Sequence, residues 1–100
     1  MTTSNLDFLA ALESVIRDRL ANPDSSSYTA ALAASGTKRV AQKVGEEGVE
    51  LALASVGGNR DEVIDEAADL VYHLLVLLQA RGLGLAEVAA RLEERHSKQA

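Results

Sequence analysis

The chain has 100 residues, a formal net charge of −5, 47% hydrophobic and only 3% aromatic residues, and neither cysteine nor tryptophan. That length supports one domain, residues 1–100, with a small core of Leu, Val and Ala, a composition better suited to packed helices than to strands. The acidic balance argues against duplex nucleic acid and anionic membranes as partners, the missing cysteines exclude disulfides and thiolate chemistry, and the lack of an apolar run of roughly 18 residues or a signal-peptide core leads us to expect a soluble cytoplasmic protein.

Met1 to Ser4 reads as a disordered start, with Ser4 or Asn5 able to cap a first helix. Leu9, Leu12, Ile16 and Leu20 recur at spacings of three and four, and Phe8 and Val15 widen the stripe. Asn22-Pro23 ends that helix, because the residue before proline is pushed away from helical dihedrals. After a polar turn at Asp24 to Ser27, with Ser27 as cap, a short helix carries Tyr28, Ala31, Leu32 and Ala34. Ser35-Gly36 breaks it, and Thr37 is the expected cap of the third helix.

The third helix should run from about Thr37 to Val56. At about 100° per residue, Arg39, Lys43, Glu46, Glu47 and Glu50 share one arc. Ala41, Gly45, Gly48 and Ala52 form a small-residue stripe. Glycine inside a helix costs about 1 kcal/mol relative to alanine, so the stripe suggests a second helix packing closely there. Val56-Gly57-Gly58-Asn59 is a helix stop and turn, and Asn59 caps a fourth helix running to about Ala80 or Arg81. Val63, Ala67, Leu70, Leu74 and Leu77 form one apolar stripe of that helix; Ile64, Ala68, Val71, Leu75 and Leu78 form another beside it. Glu62, Glu66, Asp69 and His73 lie opposite. Two adjoining stripes are wider than one core requires, which suggests burial within the chain and also against a partner chain. Gly82 and Gly84 end the fourth helix, and Leu85, Val88, Ala89 and Leu92 mark a last short one, with residues 97–100 expected to be disordered. The expected fold is all-α: an antiparallel bundle of about five helices, completed by dimerisation.

The acids carry the chemistry. Glu46, Glu47 and Glu50 precede the glycine turn, and Asp61, Glu62, Asp65, Glu66 and Asp69 follow it within nine residues. Like charges at i,i+4 destabilise a helix by roughly 0.2–0.5 kcal/mol per pair, and a divalent cation would reverse that sign. Glu47 and Glu50 are three apart on one helix, Glu66 and Asp69 three apart on the next. Glu50 lies seven residues before the turn and Glu66 eight after it, so an antiparallel hairpin lets four carboxylates converge. Oxygen-only ligands favour Mg²⁺, with Mn²⁺ as a substitute. The bland alternative is a solvated acidic face. Lys38, Arg39 and Lys43 stand beside the cluster, either as partners in i,i+4 ion pairs or as a phosphate-binding strip. His73, one turn past Asp69, reads as an orienting or merely satisfied histidine. The chain contains no G-x-x-x-x-G-K-[ST] loop, which argues against Walker-type chemistry.

The segments SYTAALAASGTKRVAQKVGEEGVELALA and RDEVIDEAADLVYHLLVLLQARGLGLAEV closely resemble phosphoribosyl-ATP pyrophosphatase (diphosphatase) of histidine biosynthesis, a member of the MazG-like all-α NTP pyrophosphatases. The similarity runs from about Phe8 to His96. The family signature, E-x-x-E followed after a spacer by E-x-x-D, falls on Glu47, Glu50, Glu66 and Asp69. The resemblance implies Mg²⁺-dependent hydrolysis of 1-(5-phosphoribosyl)-ATP to 1-(5-phosphoribosyl)-AMP and pyrophosphate, by a homodimer. It implies that those four acids hold the metal, with Glu46 as a further ligand or a base behind them, and that one carboxylate or a metal-bound hydroxide activates the attacking water. Lys38, Arg39 and Lys43 would hold substrate phosphates. Some relatives carry a cyclohydrolase domain ahead of this one; with no room for it before Phe8, a monofunctional chain is expected. A related enzyme acting on dUTP or other nucleotides is the competing expectation, and a non-enzymatic helical interaction module the more distant one.

Overall fold

The computed structural model describes residues 5–22 and 28–99. These form five helices, α1 (Asp7–Ala21), α2 (Tyr28–Ala34), α3 (Thr37–Gly57), α4 (Arg60–Ala80) and α5 (Leu85–Gln99), with no strand among the described residues. Five readings from the sequence fall outside the described residues: the disordered start, the Ser4 cap, the Pro23 stop, the polar turn and the Ser27 cap.

Local chemistry sets most helix ends. Asn59 does cap α4, its side chain accepting from the Glu62 N–H at 2.9 Å, which satisfies one of the orphan donors of the first turn. The end of α4 is a Schellman arrangement. Gly82 has a φ of 73°, the Leu83 N–H donates to the Leu78 carbonyl and the Gly82 N–H to that of Gln79, a left-handed position that glycine takes without strain. Asn22 closes α1 by turning its side-chain amide onto the Asp18 carbonyl at 2.8 Å. Two expected caps are not made. Leu6, already helical, is the N-cap position of α1, and Asn5 contributes its backbone carbonyl to the Phe8 N–H instead. Gly36, not Thr37, precedes α3, with a φ of 100° and no side-chain cap. The chain also stays helical to Gln99, past the expected fraying at residue 97, and the Glu94–Lys98 pair one turn apart supports that last stretch.

The core is a cluster of Ile16, Leu32, Val40, Leu75 and Val76, with Leu12, Leu20, Val71, Tyr72, Leu77 and Leu85 packed around it. α3 and α4 pair along their lengths, α1 lies on α4, and α2 bridges the three. Contacts between Glu47 and His73, and between Gly58 and Glu62, run in opposite chain directions, so α3 and α4 form an antiparallel hairpin. α5 joins the rest through its first turn, where Glu13 of α1 accepts from the Leu85 N–H at 2.7 Å.

Three expected surfaces turn out differently. Phe8 and Val15 face outward rather than widening the buried stripe of α1. On α4 the buried side is rotated toward His73 and Val76, away from the two apolar stripes; of those, only Leu75 is fully buried. The cause is α1 and α2, which pack on the Tyr72–Val76 side. The Gly45–Gly48 stripe meets no other helix among the described residues, for a Cβ built at either glycine would touch nothing within 4 Å. Next to it Val49, Leu53 and Val56 are exposed, as is Ile64 on α4. The hairpin therefore keeps an open apolar face.

Candidate active site

The antiparallel hairpin gathers the acids. Glu47 and Glu50 project from α3, Glu66 and Asp69 from α4, and the Gly57-Gly58 turn fixes their register. Glu66 records how close they stand. Its carboxyl is pushed above its ordinary value, first by desolvation and then by the negative charges of Glu50, Asp69, Glu47 and Asp65. Both causes penalise the ionised form. Glu50, Glu62 and Glu66 also line a groove of about 330 Å³ that opens beside Gly57 and Gly58. A hollow of about 440 Å³ lies along α5 between Leu83, Val88 and Leu92; it holds no carboxylate cluster, so the chemistry belongs to the hairpin.

The four acids are neighbours without being a finished cage. Among the described residues no three acids or histidines stand close enough together to enclose an ion, which corrects the expectation that they meet at one point. Uncompensated like charges favour spreading. The donor set nevertheless fits a hard divalent cation: oxygen ligands only, already crowded enough to raise Glu66. Glu46 stands apart, exposed and accepting from Gln42 Nε2 at 3.1 Å. No ion pair among the described residues engages Lys38, Arg39 or Lys43. The first two are exposed and the third half-buried, all at the N-terminal end of α3. The alternative pairing of Lys43 with Glu47 is absent because Glu47 points elsewhere.

Glu47 is only 8% exposed, an unusual burial for a carboxylate. It accepts from His73 Nδ1 at 2.5 Å, and the same nitrogen lies 3.0 Å from the Asp69 carbonyl. His73 Nε2 is 2.7 Å from the Tyr28 hydroxyl. Alongside, the Tyr72 hydroxyl bonds Thr29 Oγ1. The three rings pack together, Tyr72 against His73 edge-on with centroids 5.2 Å apart and Tyr28 against His73 at 5.8 Å. No buried side-chain nitrogen or oxygen among the described residues lacks a hydrogen bond. Sequence reasoning gave His73 a minor role and assigned none to Tyr28, Thr29 or Tyr72. The signal available was Tyr72-His73 interrupting an apolar run, two polar side chains that must find partners once buried.

Fold and site together define an all-helical protein with an acid-lined helical hairpin. The phosphoribosyl-ATP pyrophosphohydrolase family model matches residues 9–96, and the chain belongs to that family. It is 56% identical over 93 residues to the histidine biosynthesis bifunctional protein HisIE of Photobacterium profundum, covering 93% of this chain and 45% of that protein. The corresponding protein of Yersinia pestis is 56% identical over 95 residues, 95% of this chain and 47% of the relative. The chain thus spans about half the length of the curated relatives it matches. No helix among the described residues is long and apolar enough to cross a membrane.

Proposed function

We propose that this chain hydrolyses 1-(5-phosphoribosyl)-ATP between its α- and β-phosphates, giving 1-(5-phosphoribosyl)-AMP and pyrophosphate, with Mg²⁺ as cofactor and Mn²⁺ as a substitute. The observation that carries this is the family match across residues 9–96 falling on a hairpin where Glu66 is raised by desolvation and then by the charges of Glu50, Asp69 and Glu47. Glu47, Glu50, Glu66 and Asp69 would hold the cation. When bound, it would neutralise phosphoryl oxygens and make water more acidic. Lys38, Arg39 and Lys43, in no ion pair among the described residues and one to two turns ahead of the acids, would bind the polyphosphate. A carboxylate of the cluster takes the proton of the attacking water. The water oxygen stays on one phosphoryl group, and the bridging oxygen leaves with the other. Glu46, exposed and held by Gln42, would serve as a further ligand or base only by turning toward the cluster.

The working unit proposed is a homodimer. Val49, Leu53, Val56 and Ile64 are 60%, 67%, 90% and 48% exposed, and the first three adjoin the small-residue stripe of α3 where a second backbone can approach closely. The cysteine-free composition suits a reducing compartment, and the cytoplasm is the proposed location.

Pyrophosphate release from phosphoribosyl-ATP with Mg²⁺, with a chelator, and by Glu50→Gln tests the assignment. Turnover that needs Mg²⁺ and is abolished in a folded Glu50→Gln variant is expected. Undiminished turnover in that variant would remove the acids from the mechanism.

A further inference from the structure

Of the four acids, Glu47 alone has its carboxylate held by a hydrogen bond from another described residue. His73 Nδ1 faces two oxygens that can only accept, Glu47 Oε1 at 2.5 Å and the Asp69 carbonyl at 3.0 Å. Nδ1 therefore carries a proton. Nε2 then takes the Tyr28 hydroxyl, 2.7 Å away, as its partner. Glu47 Oε2 takes no hydrogen bond from the described residues, yet it is not sealed from solvent, since no buried side-chain oxygen among them is left unpartnered. One oxygen is tied inward and the other is free.

We propose that His73, itself fixed by Tyr28, is a positioning residue that holds Glu47 so that Oε2 alone is offered to the cation. The inference rests on the metal-binding role given above to Glu47. Its physical basis is that a ligand carboxylate hydrogen-bonded from behind loses little freedom when an ion arrives, and that such outer partners govern metal affinity. Glu50, Glu66 and Asp69 have no equivalent partner among the hydrogen bonds of the described residues, so Glu47 is the pre-set arm of the group. The Asp69 carbonyl on the same Nδ1 also ties this arm to the backbone of the E-x-x-D pair. Tyr28, which begins α2, brings a third helix into the arrangement.

The test is a Mn²⁺ titration of the whole chain followed by electron paramagnetic resonance, with ¹⁵N spectra of the His73 ring in metal-free protein. Asparagine places its amide nitrogen near the position of Nδ1, whereas glutamine reaches the position of Nε2. His73→Gln is expected to weaken Mn²⁺ binding about 10- to 100-fold, and His73→Asn to recover most of that loss. Tyr28→Phe removes one hydroxyl from a half-exposed ring; it should shift the ring's tautomer balance away from the protonated Nδ1 form and weaken Mn²⁺ to a smaller degree. Wild-type affinity in His73→Gln, or equal losses in the Gln and Asn variants, would overturn the inference. If both position-73 variants misfold, Tyr28→Phe decides it, and unchanged spectra and affinity there would overturn it too. A wild-type chain that binds no Mn²⁺ would instead defeat the metal assignment, and this inference with it.

Discussion

Gly57 and Gly58 are adjacent in the turn that registers α3 against α4, yet alanine is expected to act oppositely at the two. Gly57 is the last residue of α3, its φ is not positive, and a Cβ there meets nothing within 4 Å. Gly57→Ala should stabilise the fold by about 0.4–1 kcal/mol, chiefly by restricting the unfolded chain. At Gly58 a Cβ would lie 2.7 Å from the Ala54 carbonyl oxygen and 3.2 Å from Glu62 Oε2. The Glu62 side chain can swing away, but the Ala54 oxygen is backbone and already accepts the Gly58 N–H at 2.7 Å. The turn must open by several tenths of an ångström, at a cost on the order of 1–3 kcal/mol as for other overpacked sites. For a domain of this size each kcal/mol moves the melting temperature by about 4–8 °C, so the variants should melt on opposite sides of wild type. Thermal melts at one fixed protein concentration, in chelator, read this directly. The same displacement reaches the groove between Glu50 and Glu66, and a misplacement of about 1 Å can cost about 10²-fold in rate; Gly58→Ala should therefore also lose activity. Equal melting temperatures, or a more stable Gly58→Ala, would mean that the turn is not closed against a side chain at position 58.

Asn59→Ala removes the side-chain acceptor of the Glu62 N–H and should cost about 1 kcal/mol, read by denaturant titration. Gly36→Ala places a Cβ at a φ of 100° and ψ of 158°, a region almost confined to glycine, and should cost about 1–3 kcal/mol, again read by denaturant titration. Glu66→Gln should raise the melting temperature of metal-free protein at neutral pH. Because folding raises the Glu66 carboxyl above its ordinary 4.5, its favourable contribution is complete below that value and is lost as pH rises through the raised one. Melts in chelator across the range should show wild type and variant converging toward acid, and a gap that persists or widens there would contradict the crowding of the acids.

Much of the hairpin was legible because its signals are local. The Gly57-Gly58 break, the Asn59 cap and the E-x-x-E and E-x-x-D spacings each act within a few residues, and helix geometry carries them into space. The working face of α4 was not legible in the same way. Helical periodicity locates two apolar stripes but does not say which one meets α1 and α2 and which is left open. Val76 and His73, both on the side assigned to polar residues, are buried because of where α1 and α2 dock. The Gly45–Gly48 stripe had the same ambiguity: its small residues do permit close approach, but no helix among the described residues makes it. The Tyr28–His73–Glu47 chain was hidden for a related reason. Its partners are 45 and 26 residues apart, and no spacing rule links them until the helices pack.

The substrate proposed above for the carboxylate hairpin is phosphoribosyl-ATP rather than nucleotides at large. Turnover of phosphoribosyl-ATP beside ATP, dUTP and the other dNTPs, at matched Mg²⁺ and with product identification, separates the two. Release of pyrophosphate and 1-(5-phosphoribosyl)-AMP, with a clear preference for phosphoribosyl-ATP, is expected. Preference for a free dNTP, or no hydrolysis of any member of the panel, would contradict it.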